Sequence, residues 1–213
     1  KVLLDIGYCQ EFNVHCNLTE QSPDIALGVD EVANKSQGAG DQGMMYGYAT
    51  NETPELMPAP LVLAHKIAKE FKKLRTTKYF ALFGPDGKCQ VTYVYENDKP
   101  IAIDTIIISA QTTRHANMDI IRKVIIEEVL TPLVFDVEDI KVLINPTGEF
   151  IIGGPEADAG LTGRKIIVDT YGGFSHHGGG AFSGKDVSKV DRSAAYYARY
   201  AAKAFVAAGL ADR

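Results

Sequence analysis

The sequence has no apolar run of the roughly 20 residues needed to cross a bilayer. Its most hydrophobic stretch, Ile101–Ala110, is too short and includes Asp104. Positive charge is also scarce, since 22 Lys and Arg against 27 Asp and Glu leave a net charge of -5. A general duplex binder needs a basic face to displace counterions, so this balance argues against nucleic acid as the principal partner. Cysteine is scarcer still. Cys9, Cys16 and Cys89 are odd in number and form no CxxC pair. Zinc needs clustered ligands and free thiols persist in reducing compartments, so all three are expected to be reduced packing residues of a cytoplasmic protein. The first residues carry neither a signal-peptide pattern nor an initiator Met. Lys1-Val-Leu-Leu opens inside a structured-looking pattern, and Gly209–Arg213 stops just after a helix, so the chain is expected to be cut at both sides.

What is present describes a soluble globular chain. Its 213 residues, 46% apolar and 23% charged, suffice for one large domain or two small ones. Alternation over Asn13–Leu18 predicts a strand, followed by a turn-rich stretch from Glu20 and a long loop to Gly43. Pro58 and Pro60 open a predicted helix with Ala64, Ile67, Phe71 and Leu74 on one face. Lys66, Lys69, Lys72 and Lys73 lie mostly away from that face, as a solvated surface. Pro85–Lys88 reads as a turn, Cys89–Tyr95 as a strand, and Asn97-Asp98 as the turn back into Ile101–Ala110. This second strand is apolar on both faces, so both are expected to be covered, by helices on one side and by another subunit on the other. Asn117 caps a helix that carries Met118, Ile121, Ile125 and Val129 inward and ends near Pro132. Val142–Ile144 is a short strand. The fold class is α+β, with a small sheet and helices on one face.

After Gly153 the composition shifts to Gly, Lys, Arg, Asp and His. Ile166–Val168 reads as a strand. A last helix begins near Asp191, carries Ala198, Ala201, Ala202 and Phe205 on one side, and stops at Gly209. Small residues on that side would let a neighbour approach closely.

Chemistry concentrates in a few loops. Gly178-Gly-Gly-Ala-Phe-Ser-Gly-Lys-Asp186 and its continuation to Asp191 place lysines beside backbone N–H groups bared by glycine. Without Walker spacing or a Gly-Lys-Ser/Thr ending it is not a P-loop. It is either a phosphate cradle or a flexible surface loop. Arg164 and Lys165 are either a solvated pair or a second cationic wall; an arginine can fork onto phosphate oxygens. Asp41, in the glycine loop Gly38–Gly43, is a candidate Mg²⁺ ligand, since that ion takes few protein carboxylates and completes its octahedron with phosphates and waters. Asp191 is a second candidate, or the cap of the last helix, or both. His176 and His177 lack zinc spacing and read as loop packing or polar contacts. Together these features indicate a nucleotide or polyphosphate ligand without naming a reaction.

The same segments resemble the S-adenosylmethionine synthetase family over essentially the whole chain. The resemblance rests on Gln21-Ser-Pro-Asp-Ile25, Gly38-Ala-Gly-Asp-Gln-Gly43, Tyr48-Ala-Thr-Asn-Glu-Thr53, Leu56-Met-Pro-Ala-Pro60 and Ile144-Asn-Pro-Thr-Gly148. It continues through Gly160–Gly173 and Gly178–Asp186. It implies three similar α+β repeats about a pseudo-threefold axis, with 52–153 nearly one whole repeat and 1–51 and 154–213 parts of the others. A mobile gating loop would lie near 21–35. It implies a homodimer with active sites at the interface, alone or paired into a dimer of dimers, using ATP, L-methionine, Mg²⁺ (about two per site) and K⁺. By motif, Asp41 and Asp191 would hold Mg²⁺. Arg164, Lys165 and Lys185 would contact the phosphates as catalytic cations. Asp86, Lys88, Phe150, Asp158 and Ala181 would contact ATP, and Gln21, Asp158 and Lys189 methionine. The chain departs from the family at Glu149, where most members carry arginine. The family's His-Pro-Asp-Lys segment and two glutamates precede Lys1. The resemblance leaves two readings, part of a synthetase active as the full-length protein or a truncated, non-catalytic nucleotide-binding or dimerising module of the same lineage; the fragment alone is expected to be inactive.

Overall fold

The computed structural model describes residues 1–8 and 11–213; the expectation for Cys9 lies outside them. In chain order the helices and strands are α1 (Val2–Asp5), α2 (Pro23–Val29), α3 (Ala59–Thr77), β1 (Phe83–Glu96), β2 (Lys99–Thr112), α4 (Met118–Ile125), β3 (Lys141–Ile144) and α5 (Val190–Ala207). A π-helical turn, Ile126–Leu130, prolongs α4, and a short 3₁₀ turn spans Gly154–Glu156. The chain divides into two compact units. Unit 1 is Lys1–Glu11 with Ala59–Gly160, and unit 2 is Phe12–Pro58 with Leu161–Arg213.

Unit 1 is an α+β layer. Leu61, Leu63, Ile67, Phe71 and Leu74 recur at helical spacing on α3 and are buried, while its four predicted surface lysines are exposed. β1 and β2 form an antiparallel hairpin, and β3 joins β2 in parallel. Asn97 and Asp98 supply the turn with φ of 50° and 62°, the positive pair that matches strand twist. Asn117 caps α4 as predicted, its side chain accepting from the N–H groups of Asp119 at 2.8 Å and Ile120 at 3.4 Å. Ile106, Ile108, Ala110, Ile121, Ile125 and Val129 close the core beneath α3.

β2 carries a bulge that the sequence reading does not contain. Thr92 pairs with Thr105 but Tyr93 pairs with Ile103, so Asp104 is bulged out. That extra residue keeps Ile103, Ile106 and Ile108 against one core. The opposite face carries Thr105, Ile107, Ser109 and Gln111, all half-buried. Among the described residues only the face with Ile106, Ile108 and Ala110 is buried, and the other is the one expected to meet another subunit. Pro85–Lys88 is likewise strand, containing a register break between Phe83 and Gly87, where a turn was expected.

Asn145 stabilises the end of β3. It is 2% exposed with φ of 46°. Its amide accepts from Ala110 N–H at 2.8 Å and donates to Ala110 C=O at 3.0 Å, continuing the ladder by side chain where the backbone turns away.

Unit 2 contains α2 and α5 and is otherwise turns and irregular chain. No strand forms at Asn13–Leu18, where every residue is exposed, nor at Ile166–Val168, which lies in successive turns with Ile167 and Val168 exposed. Short alternation without a neighbouring strand gives no ladder to close. Cys16 is a free thiol but exposed, so it is not a packing residue; Cys89 is half-buried. α5 buries Ala195 and Val206. Phe205 is 59% exposed, against expectation. The small face does admit a close neighbour. A Cβ on Gly47 would stand 2.0 Å from Ala198 O, so only glycine fits there. The N–H of Gly209 bonds Val206 C=O and that of Leu210 bonds Phe205 C=O, closing the helix at the predicted glycine.

Candidate functional site

The glycine-rich segment of unit 2 folds back onto the first turn of α5. Turns at Ser183–Gly184 and Val187–Ser188 are fixed by Asp186, whose carboxylate accepts from the N–H and hydroxyl of Ser188 at 2.8 and 2.6 Å. Those two bonds hold the Asp186 carboxyl below the usual range. The turn delivers Lys185 Nζ to Asp191 Oδ2 at 2.6 Å, with both side chains about a third exposed. Arg192 donates to the carbonyl of Lys185 and lies over the Tyr196 ring at 5.5 Å. Asp191 is in the first turn of α5 and caps nothing; the N-cap position is Lys189, without a side-chain cap. A Cβ on Gly180 would fall 2.1 Å from Asp191 Oδ1. Glycine at that position is therefore what lets the carboxylate lie against the loop.

Beside this pair runs a cleft lined by Met44, Tyr46, His177, Gly178, Phe182 and Asp191. Its walls are braced by aromatic contacts. His176 stacks on Tyr46 at 5.4 Å, and His177 Nδ1 accepts from Gly179 N–H at 2.7 Å. Both histidines act as the loop-packing and polar contacts expected of them.

Lys189 Nζ donates to Gln21 Oε1 at 3.0 Å across 168 positions of sequence. Two of the three residues matched to methionine are thereby adjacent. Arg164 and Lys165 are exposed at the end of the Thr162–Arg164 turn, and Ala181 is half-buried. Gly163, with φ of 83°, has its Cα close enough to Ala181 that a Cβ would reach the alanine methyl at 2.6 Å. The two cationic segments of unit 2 therefore meet at Gly163 and Ala181. Asp41 is exposed, one oxygen accepting from its neighbour Gln42 N–H at 2.8 Å.

In unit 1, Asp86 is fixed from both ends. Its carboxylate accepts from Gly154 N–H at 2.9 Å, and its own N–H donates to Gln111 Oε1 at 3.1 Å. Gln111 in turn donates to Ile151 C=O at 2.9 Å. Phe150 is half-buried, its carbonyl accepting from Thr112 N–H at 2.7 Å. Lys88, Glu149 and Asp158 are exposed, and Asp158 N–H bonds Gly154 C=O at 3.1 Å. Asp86 and Asp158 are thus tied to the same glycine.

Sequence reasoning missed Gln111 and Arg199. Arg199 donates to three carbonyls, Tyr48 at 2.8 Å, Leu56 at 2.9 Å and Glu55 at 2.9 Å, and burial lowers its pKa. It holds the Tyr48–Leu56 loop in place. Nothing in the spacing of these residues signals that contact, which spans more than 140 positions.

Among the described residues no three His, Cys, Asp or Glu side chains gather as a metal cage. Among the described residues no helix is long and apolar enough to cross a membrane.

Comparison with known proteins matches residues 36–150 to the family model for the S-adenosylmethionine synthetase central domain, and residues 152–213 to that for its C-terminal domain. Curated relatives named S-adenosylmethionine synthase include those of Pseudothermotoga lettingae (52% identical, covering all of this chain), Desulforudis audaxviator (51%, covering 98%) and Parasynechococcus marenigrum (56%, covering 92%). The chain spans 60%, 58% and 52% of their respective lengths.

Proposed function

Because the chain belongs to the S-adenosylmethionine synthetase family, we propose that it is part of an enzyme making S-adenosylmethionine from ATP and L-methionine. The methionine sulfur attacks C5′ of ATP in line, forming the C–S bond as the C5′–O bond to the triphosphate breaks. The tripolyphosphate is then hydrolysed to pyrophosphate and phosphate. Sulfur is a good neutral nucleophile, so the protein's task is alignment and stabilisation of charge on the leaving chain.

Arg164, Lys165 and Lys185 take that charge-stabilising role, with the Ala181 backbone as a further contact. Lys189 and Gln21 position methionine. Asp86, Lys88, Phe150 and Asp158 contact the nucleotide, Phe150 offering its ring to adenine and Asp158 also reaching methionine. Asp41 and Asp191 suit Mg²⁺ that arrives with phosphates and waters. Each offers one carboxylate, and no all-protein cage forms among the described residues. When bound, the ion neutralises phosphate charge. The K⁺ implied by the resemblance is assigned to no residue of this chain.

The reading extends to a cytoplasmic homodimer, built of three α+β repeats per subunit, with residues 52–153 most of one repeat. The half-buried face of β2 is available to the second subunit. One observation carries the reading: Lys185 and Asp191, the proposed phosphate cation and Mg²⁺ ligand, lie 2.6 Å apart. Incubating the full-length protein that contains this chain with ATP, Mg²⁺ and methyl-labelled methionine should yield labelled S-adenosylmethionine with equal amounts of pyrophosphate and phosphate. No labelled product from that full-length protein would overturn the reading.

A further inference from the structure

A cavity in unit 1, between α3 and β1, shares only Lys88 with the residues proposed above to contact the nucleotide. Its volume is about 130 Å³. Ile67, Phe71, Pro85, Cys89 and Ile108 supply apolar walls, and Ile67 and Ile108 are 1% and 2% exposed, so its floor is the core itself. An apolar cavity of about 150 Å³ takes up a benzene ring. One ring or one short branched chain is therefore the largest apolar body this cavity accepts.

Its charged lining is of one sign. Lys72, Arg75 and Lys88 line it, and no Asp or Glu does. Among the described residues none of these three makes an ion pair. Carboxylates near them in sequence are turned elsewhere: Glu70 bonds Lys73 at 3.3 Å, and Asp86 accepts from Gly154 N–H. Arg75 is half-buried and donates to Ile6 C=O at 3.0 Å. Burial lowers its pKa, as expected for a cation removed from water without a counter-charge. An incoming anion would supply that counter-charge.

We propose that this cavity binds a small organic monoanion, a single-ring or short branched-chain carboxylate, its apolar body against Phe71 and Ile108 and its carboxylate toward Arg75 and Lys72. Calorimetric titration of the protein with benzoate tests the proposal, with benzyl alcohol as the uncharged match. Benzoate should bind saturably in the millimolar range, and benzyl alcohol about tenfold more weakly, the difference a charge-assisted hydrogen bond makes. Lys72→Gln, at an exposed helix position, should weaken benzoate severalfold. Ala68→Phe, which fills the same space from an exposed position, should abolish binding without changing the circular dichroism. Cys89 reports location. Bound benzoate should slow its alkylation by N-ethylmaleimide while the exposed Cys16 reacts as before. No saturable heat, equal affinity for the alcohol, or unchanged Cys89 alkylation would each overturn the proposal.

Discussion

Replacing Lys185 with Met separates what this lysine does for folding from what it does for the reaction. Its ion pair with Asp191 is short, 2.6 Å, but the two side chains are 31% and 32% exposed. Water screens a pair so placed, and it contributes about 0.5–1 kcal/mol. Met keeps most of the apolar stem, and the Lys185 carbonyl is still held by Arg192. Thermal unfolding should therefore shift by about 1–4 °C. In the full-length protein, loss of the cation proposed to stabilise charge on the leaving triphosphate should lower kcat by roughly 10²–10³, or about 2.7–4 kcal/mol. The kinetic effect should thus exceed the stability effect severalfold. Asp191→Asn supplies the control. If Lys185 serves only to hold Asp191, the single and double variants should lose activity equally. The assays are kcat and KM for both substrates beside denaturant unfolding of the same samples. A kcat within about threefold of wild type, on a scale where one such contact is worth 10² or more, would refute the catalytic role.

Two further outcomes follow from unit 1. Asn145→Ala removes both partners of the Ala110 peptide groups and leaves alanine at φ of 46°; at about 1–3 kcal/mol for each orphaned buried group, denaturant unfolding should show a loss of about 3–5 kcal/mol, and a loss below about 1 kcal/mol contradicts the ladder role. Glu128 accepts from Lys78 and from Tyr79 at 3.0 Å, and these bonds hold its carboxyl below the ordinary range. A depressed folded-state pKa gives stability that is present above the unfolded value and lost as pH falls through the folded one. Glu128→Gln should flatten that acid limb in pH-dependent unfolding; an unaltered limb would show that the tie contributes nothing.

Local rules made much of unit 1 legible. Helical spacing on α3, the Asn117 cap and the Asn97-Asp98 turn each act within a few residues, and each appears where the sequence places it. The bulge in β2, absent from the sequence reading, is equally local. One bulged residue, Asp104, reverses which side chains face the core, and a period-two reading cannot detect a slip of one. Ile103 and Ile106, which strict alternation assigns to opposite faces, both pack inward.

Unit 2 resists the same treatment because long-range contacts, not periodicity, set its shape. Its motifs were legible as residues, and their geometry was not. Gly47 against Ala198 and Gly180 against Asp191 are close approaches fixed by the absence of a side chain, so each glycine acts on a partner its neighbours do not indicate. The Tyr48–Leu56 stretch makes the point from the other side. As sequence it is one of the phrases that carry the family resemblance, yet its carbonyls serve Arg199. Arg199 is thus a support for the fold that the motif itself does not reveal. The residues with candidate chemistry, Lys185, Lys189 and Asp191, lie in or beside the first turn of α5. Arg199, on the same helix, fastens the Tyr48–Leu56 loop that packs along it. Conditions that loosen that loop should therefore be felt at both ends of α5, because one rigid helix carries the support and the charges together.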